Sequence, residues 1–359
     1  MNTKQLGILL FLAAVLAGAG WWWSARNTAG WSGSGRVAGS ELLGKFELND
    51  VAQMVIRHGT NQVTLVKASD RWQVRERAGF PAAFADFKAL LLKLADLKIV
   101  QSDDVGVSQL PRLQLVGPEA GTNGATVIEL RGSDNRLIRS LLLGKKHLQK
   151  SASGEGEGWP DGRYVMTDAA SGKVYVISDA LNEAEPQPAN WLDKDFVRVE
   201  KALSLAVTFP VATNSWQLTR TNDTADWQLA AAGPAEKLDA SKLADLSTPL
   251  SSLTLADVVV PAVPLINPVT IAAKTADGFS YVFQVGAKTG DNYPVAFTVD
   301  AVLATNQPAG GTSLDTLKQK LAHESSLTNW SYLVAAYALD SVLKPRTDWL
   351  VAATNTPAK

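Results

Sequence analysis

One order of predicted elements occurs twice along this chain, and this repetition is the strongest constraint on its fold. In the first half, β-like segments over 51–74 precede an amphipathic helix over 84–97, whose leucines recur at helical spacing. A β-hairpin over 126–143 follows and ends in Gly144.

The second half repeats this order. β-like segments over 203–229 precede a helix predicted over 240–253, and a hairpin over 269–285 ends in Gly286. Pro249 lies inside the second helix and should kink or split it. Five residues serve as the signature of the repeat: Trp72, Gly144, Tyr175, Trp227 and Gly286.

Strand pairs also close both halves of the repeat. Segments 164–166 and 173–177 form such a pair in the first half, and 332–335 and 336–339 are their predicted counterparts. The stretch 305–329, with a helix over 313–323, has no equivalent in the first half, which indicates an insertion.

Strands with one apolar face need a cover, and the leucine-striped helix of each repeat can supply it. The sequence therefore predicts an α+β fold: a single N-terminal transmembrane helix followed by two tandem repeats of an antiparallel-sheet-plus-helix unit. The predicted regions are a cytoplasmic tip and anchor (1–23), a flexible linker (24–45), a first repeat (46–197), a second repeat (198–352) and a tail (353–359). Trp72 and Trp227 are expected beneath the helices; the alternative is an exposed aromatic platform for a sugar ring.

An uncharged run extends from Leu6 to Trp23. As a helix it would rise about 27 Å, close to the roughly 30 Å of a bilayer core. Trp21–Trp23 would lie at the interface, and Lys4 precedes the run, which predicts a single-pass protein of the bacterial inner membrane with its bulk outside. The expected anchor residues are Leu6, Leu9, Leu10, Phe11, Leu12, Val15, Leu16, Trp21, Trp22 and Trp23.

Two alternatives for this run remain open. The small residues Ala17-Gly18-Ala19 could form the cleavage site of a signal peptide, or the run could be a buried helix of a protein that is not exported. The anchor and the signal peptide both mean export.

Composition excludes several classes of site. The formal net charge is −1 and the basic residues are scattered, so we expect no nucleic-acid partner. The chain has no cysteine, which rules out disulfides, thiolate metal sites and a cysteine nucleophile. No pattern in the sequence predicts a cofactor.

Candidate catalytic and metal-binding residues are few. His58, His147 and His323 lack a second histidine or a carboxylate at ligand spacing, so each is expected to be structural or exposed. Glu155-Gly156-Glu157-Gly158 lacks the spacing of a calcium loop. Asp103-Asp104 would point apart on an extended segment, which argues against paired acid–base carboxylates. The sequence predicts a protein that is not an enzyme.

Asp161-Gly162-Arg163-Tyr164 is typical of a turn that enters a strand. Its arginine could instead contact a carboxylate of a partner protein.

Several short motifs occur in the first half: Trp72-Gln73-Val74, Pro81-Ala82, Leu143-Gly144, Arg163-Tyr164-Val165 and Val174-Tyr175-Val176. Together they resemble a known bacterial family, the domain of unknown function 4340. The resemblance covers most of 46–200 and, more weakly, the second repeat. A Tyr-Gly-Leu-then-Pro segment of the family is represented here only by 107–111.

The resemblance implies a membrane-anchored extracytoplasmic protein that accompanies the permease and auxiliary subunits of an ABC-type export system. It supplies no catalytic residues. We therefore expect a non-enzymatic accessory or scaffold protein of an envelope transport complex, with membrane and protein partners. The alternative is a module that binds glycan or peptidoglycan, for which Trp159, Trp191 or Trp330 could supply an exposed aromatic face.

Overall fold

A computed structural model describes residues 38–148, 160–168, 172–234, 236–261, 264–304 and 312–351. The strands are β1 (Gln53–His58), β2 (Asn61–Ala68), β3 (Arg71–Val74), β4 (Phe80–Pro81), β5 (Ile99–Asp104), β6 (Thr126–Arg131), β7 (Leu137–Leu148), β8 (Pro160–Met166), β9 (Lys173–Ile177), β10 (Ala202–Thr208), β11 (Trp216–Thr219), β12 (Gln228–Leu229), β13 (Leu255–Val259), β14 (Val269–Thr275), β15 (Phe279–Val285), β16 (Asn292–Ala301) and β17 (Ser331–Ala335). The α-helices are α1 (Phe84–Asp96) and α2 (Leu314–Ser326). Short 3-10 helices lie at Leu48–Asp50, Arg75–Arg77, Val107–Leu113, Pro118–Asn123, Pro188–Trp191, Ala212–Asn214, Ala240–Leu246, Leu327–Asn329, Ala336–Ala338 and Arg346–Trp349.

The chain forms two compact units. The first contains residues up to 71 together with 84–187, and the second contains 72–83 together with the residues from 188 onward. Each unit is built on an antiparallel sheet, in which the alternation of apolar and polar residues places one set of side chains in the core.

In the first unit, seven strands follow the order β2-β1-β6-β7-β8-β9-β5. The β1–β2 hairpin turns at Gly59, whose positive φ of 57° suits a tight two-residue turn. Its apolar side chains, such as Ile56 and Leu65, are fully buried. Residues 39–42, which the sequence assigns to a linker, form backbone hydrogen bonds with 97–99 beside β5.

Helix α1 agrees with the helix predicted over 84–97. Phe87, Leu90, Leu91 and Leu94 are buried and recur at the spacing of one helical face. Removing that face from water stabilises the helix, as the leucine stripe predicts.

In the second unit, the strand order is β12-β11-β10-β14-β15-β16-β17-β13. Its last seven strands match the seven strands of the first unit one for one in chain order. The repeated structure is therefore a sheet with the same strand order.

The predicted α+β class, with a helix repeated in each unit, is wrong. The described protein is mostly β, with two large antiparallel sheets. Where a helix is predicted over 240–253, the chain forms a 3-10 helix that ends at Leu246 and then turns. Pro249 cannot donate a helical hydrogen bond and disfavours a helical residue before it, and Leu250 has a φ of 62°, which ends any helix.

One strand prediction in the second unit is also wrong. The predicted strand 332–335 is part of β17, but the segment 336–339 begins as a 3-10 helix, and the strands that pair with β17 are β16 and β13. Pro294 lies within β16, where the missing N–H is unusual for an inner strand. Helix α2, which starts at its N-cap Ser313, lies between β16 and β17 in the chain and packs against β16.

The predicted transmembrane helix and inner-membrane localisation must likewise be corrected. Within the described residues, no helix is both long and apolar enough to cross a bilayer. The expected anchor residues Leu6, Leu9, Leu10, Phe11, Leu12, Val15, Leu16, Trp21, Trp22 and Trp23 lie outside the described residues.

The segment 72–83 lies in the first half of the sequence but packs within the second unit. Arg77 binds Asp257 through two hydrogen bonds, with Nε–Oδ1 at 2.6 Å and Nη2–Oδ2 at 2.8 Å. The buried ring of Phe80 makes edge contacts with Trp330 and Tyr332. A fork of two charged hydrogen bonds and an aromatic anchor hold this segment.

Candidate anion-binding groove

A groove of about 550 Å³ lies on the first unit where the 3-10 helix Val107–Leu113 meets β7 and β8. Four of its side chains are basic, and the others are amide, aliphatic and aromatic. The groove is lined by Gln109, Arg112, Leu113, Lys145, Lys146, His147, Leu148 and Tyr164.

An irregularity in β7 explains why four consecutive residues reach one groove. In a regular strand, successive side chains point to opposite faces. The register runs from Leu143 opposite Val165 to Lys146 opposite Arg163, which leaves one extra residue in β7. A second shift follows between His147 and Leu148. Such bulges redirect side chains, and here they bring residues 145–148 to one site.

Gly144 allows the two walls of the groove to approach each other. A Cβ atom on Gly144 would overlap the carbonyl oxygen of Leu113 and the side chain of Leu115. Only glycine therefore permits the end of the 3-10 helix to lie directly on β7. Leu110 anchors this helix in a buried cluster with Val127, Leu142 and Met166.

The basic side chains of the groove are unbalanced. Arg112, Lys145 and Lys146 are exposed and form no ion pair with the carboxylates of the described residues. His147 is held by Asp161, with Nδ1 and Oδ1 2.6 Å apart, and its ring meets Tyr164 edge to face. Three neighbouring cations that form no ion pair within the described part of the chain make an attractive site for an anion.

Arg163 adds a further positive charge beside Gly144. Its Nε donates to the carbonyl oxygen of Gly144 at 2.8 Å, and its Nη1 donates to that of Ala180 at 3.0 Å. Burial lowers the pKa of this guanidinium, which still remains charged at neutral pH. The guanidinium of Arg163 thus binds backbone carbonyl groups of the first unit. Residues 161–164 belong to strand β8 and not to a turn.

The signature residues of the repeat have different environments. Tyr175 is buried on β9, and Gly286 lies between Leu265 and Pro294. Trp227 is buried, its Nε1 donates to the carbonyl oxygen of Leu246 at 2.8 Å, and the guanidinium of Arg220 lies 4.2 Å from its ring centre. Trp72 is half-buried within the segment 72–83.

The other candidate residues do not come together. His58 ends β1, His323 lies on α2 near Asp195, and Asp103-Asp104 end the edge strand β5. Across the part of the chain that the structure describes, no group of three histidine, aspartate or glutamate side chains could hold a metal ion. The residues 155–158 lie outside that part.

The second unit contains a buried carboxyl group, Glu324, with titratable neighbours. Its Oε2 accepts from the Tyr281 hydroxyl at 2.8 Å, and its Oε1 accepts from the Arg198 N–H at 3.1 Å. Lys320 lies 4.0 Å away and binds Glu200 at 2.7 Å. Burial raises the pKa of Glu324, and the hydrogen bonds and Lys320 oppose that rise. Because Glu324 is 2% exposed, this cluster serves the core.

Sequence reasoning missed the groove because its residues come from three separate segments. The run Lys145-Lys146-His147 directly after the Leu-Gly end of a hairpin was the available signal. The predicted hairpin stops before this run, whereas β7 extends through it to Leu148.

The fold and this site define a class: a two-unit antiparallel sheet protein with a cationic groove. A family profile described as a domain of unknown function, DUF4340, matches residues 72–277, which is more than half of the chain. The chain therefore belongs to the DUF4340 family, as its motifs predict, and the match extends into the second unit. No curated protein and no solved structure shows significant similarity to the chain.

Proposed function

We propose that this protein is a non-enzymatic accessory protein of an ABC-type transport complex and that it holds an anionic ligand in the groove of its first unit. The family resemblance supports the transport association. Ligand binding is supported by three exposed cations, Arg112, Lys145 and Lys146, which line one concave site.

The energetics favour a ligand over a structural role for these cations. Adjacent like charges repel each other, and here no described carboxylate compensates them. A bound anion would remove this repulsion and form charge-assisted hydrogen bonds, which are stronger than neutral ones. The arrangement therefore stabilises a complex more than it stabilises the free protein.

The transport association can be tested in the cells that produce the protein. The full chain, tagged at its C-terminus, should copurify with permease and ATPase subunits after crosslinking. The variant K145Q/K146Q should retain these subunits, because the groove is assigned to the ligand and not to subunit contact. Recovery of the wild-type protein without either subunit would contradict the association.

Glycan binding is the second candidate function, and the ring of Tyr164 in the groove favours it. The tryptophans proposed from the sequence do not form the platform. Trp191 is 3% exposed, and Trp330 is half-buried against Phe80 and donates to the Ala78 carbonyl oxygen. Trp159 lies outside the described residues. A pull-down with insoluble glycans tests this function, and no retention would exclude glycan polymers as ligands.

A further inference from the structure

We infer that the groove binds a phosphorylated sugar, with the phosphate at the cations and the sugar ring against Tyr164. This inference rests on the proposed ligand-binding function and specifies the chemistry of the ligand.

The charge of the groove indicates a ligand that carries more than one negative charge. A phosphate monoester carries about −1.5 to −2 at neutral pH, whereas a carboxylate carries a single charge. Arg112 offers a planar fork of donors that matches phosphate oxygens, and Lys145 and Lys146 add point charges from the facing strand. The phosphate is therefore the better match for three cations that converge from two walls.

The size and the remaining lining indicate that the anion has an organic part. The groove of about 550 Å³ lies within the range of small-molecule pockets, of about 300–1,000 Å³. Leu113, Leu148 and Tyr164 supply an apolar wall, and Gln109 supplies an amide that can both donate and accept. A sugar has an apolar ring face for such a wall and hydroxyl groups for such an amide.

The construction of the site supports a fixed binding geometry. Asp161 is the extra residue of β8 at the second register shift, and its Oδ1 lies 2.6 Å from Nδ1 of His147. This contact fixes the orientation of the imidazole ring. Tyr164 packs at the edge of the buried cluster that contains Leu110 and Met166, which limits the movement of its ring. Pre-oriented groups lose less entropy when a ligand binds.

Calorimetric titration of the full chain tests the inference with four probes: glucose 6-phosphate, glucose, glucuronate and inorganic phosphate. Glucose 6-phosphate should bind at least about tenfold more tightly than each of the other three, because only it satisfies both halves of the groove. The variant K145Q/K146Q should weaken this binding by about tenfold or more. The control K67Q/K88Q removes two exposed lysines elsewhere on the first unit and should leave the affinity unchanged.

Each contrary result overturns a defined part of the inference. Equal affinity for glucose and glucose 6-phosphate, or no change in K145Q/K146Q, would remove the phosphate site. Equal affinity for inorganic phosphate would remove the sugar contact, and equal affinity for glucuronate would remove the preference for phosphate over carboxylate. These results leave the copurification with transport subunits standing, so the two proposals fail separately.

Discussion

The two units have the same strand order but use their charged residues differently at one matching position. Gly144 in the first unit and Gly286 in the second each follow the apolar stretch of a central strand. After Gly144, β7 continues as a bulged basic segment. After Gly286, the chain turns, and Lys288 is paired with Asp340 at an Nζ–Oδ2 distance of 3.3 Å.

This difference shows that a repeated sheet does not carry a repeated site. The first unit exposes cations at the groove that form no ion pair with any described carboxylate, whereas the second pairs its lysine and buries a carboxylate, Glu324, in its core. Strand order depends on apolar alternation, which both units keep, while a site depends on a few polar positions that can differ without changing the sheet.

The largest effect should come from Glu324→Ala, which tests the claim that the buried carboxyl group of Glu324 stabilises the second unit through its hydrogen bonds. The substitution leaves the Tyr281 hydroxyl and the Arg198 N–H without their acceptor and opens a cavity. We expect a loss of about 3 kcal/mol in unfolding free energy. Native-state hydrogen exchange of β15 amides would measure it, and a loss below about 1 kcal/mol would contradict the assigned role.

Glu324→Gln is the matched variant and tests the pH dependence of this core. Burial raises the pKa of Glu324 in the folded state, so folding favours its protonated form. Its contribution is fully present below the ordinary glutamate pKa of 4.5 and is lost as pH rises through the raised folded pKa. Urea unfolding at a series of pH values measures this loss. As pH rises over this range, the unfolding free energy should decline less in Glu324→Gln than in the wild type.

The next largest effect separates the two glycines. In Gly144→Ala, the new methyl group meets the backbone oxygen of Leu113, which cannot move without shifting the 3-10 helix. We therefore expect the unfolding free energy of the first unit to fall by about 2 kcal/mol and the groove to bind its ligand more weakly. In Gly286→Ala, the methyl group meets the side-chain ends of Leu265 and Pro294 at 3.0 and 2.9 Å, and the loss should be smaller. Hydrogen exchange in each unit measures both losses. Equal losses would contradict the close approach at Gly144.

A smaller effect should have opposite signs in the two units. Lys145→Gln with Lys146→Gln removes two neighbouring like charges and should raise the unfolding free energy of the first unit by up to about 0.5 kcal/mol. Lys288→Gln removes the partner of Asp340, and since that pair is exposed, the second unit should lose no more than about 0.5 kcal/mol. Urea unfolding at low ionic strength measures both. A loss of stability in the double variant would show that the cations are structural.

The smallest effect concerns Tyr293, whose hydroxyl donates to Asp340 at 2.8 Å. Burial raises the pKa of Tyr293 to about 12, and the hydrogen bond to Asp340 contributes to the rise. Asp340→Asn should therefore lower this pKa part of the way toward 10, which a spectroscopic titration of tyrosinate would detect. An unchanged tyrosinate titration would contradict the hydrogen bond between the Tyr293 hydroxyl and Asp340.

The local elements were the predictable part of this fold. Alternation and turn residues located the hairpins of β6 with β7 and β14 with β15, and leucine spacing located α1. The second helix failed because leucine spacing outweighed Pro249 in the prediction. Strand β16 was missed because its proline is atypical of an inner strand.

The groove was beyond a prediction from one sequence for a different reason. It depends on an extra residue in β7 and on a glycine that admits a second segment, and neither leaves a periodic pattern. Arg112 and Lys145 are far apart along the chain, and only the pairing of strands brings them together. Local patterns predict elements, whereas sites arise where elements meet.

The place of the segment 72–83 in the second unit has a consequence for protein synthesis. Its residues leave the ribosome well before Asp257, Trp330 and Tyr332, so Arg77 and Phe80 must wait for their binding pocket to be translated. A gene truncated to begin at codon 188 would yield a polypeptide in which the rings of Trp330 and Tyr332 lose their edge contacts with Phe80. Dissecting this protein into halves therefore requires supplying the early segment as a separate peptide or by circular permutation.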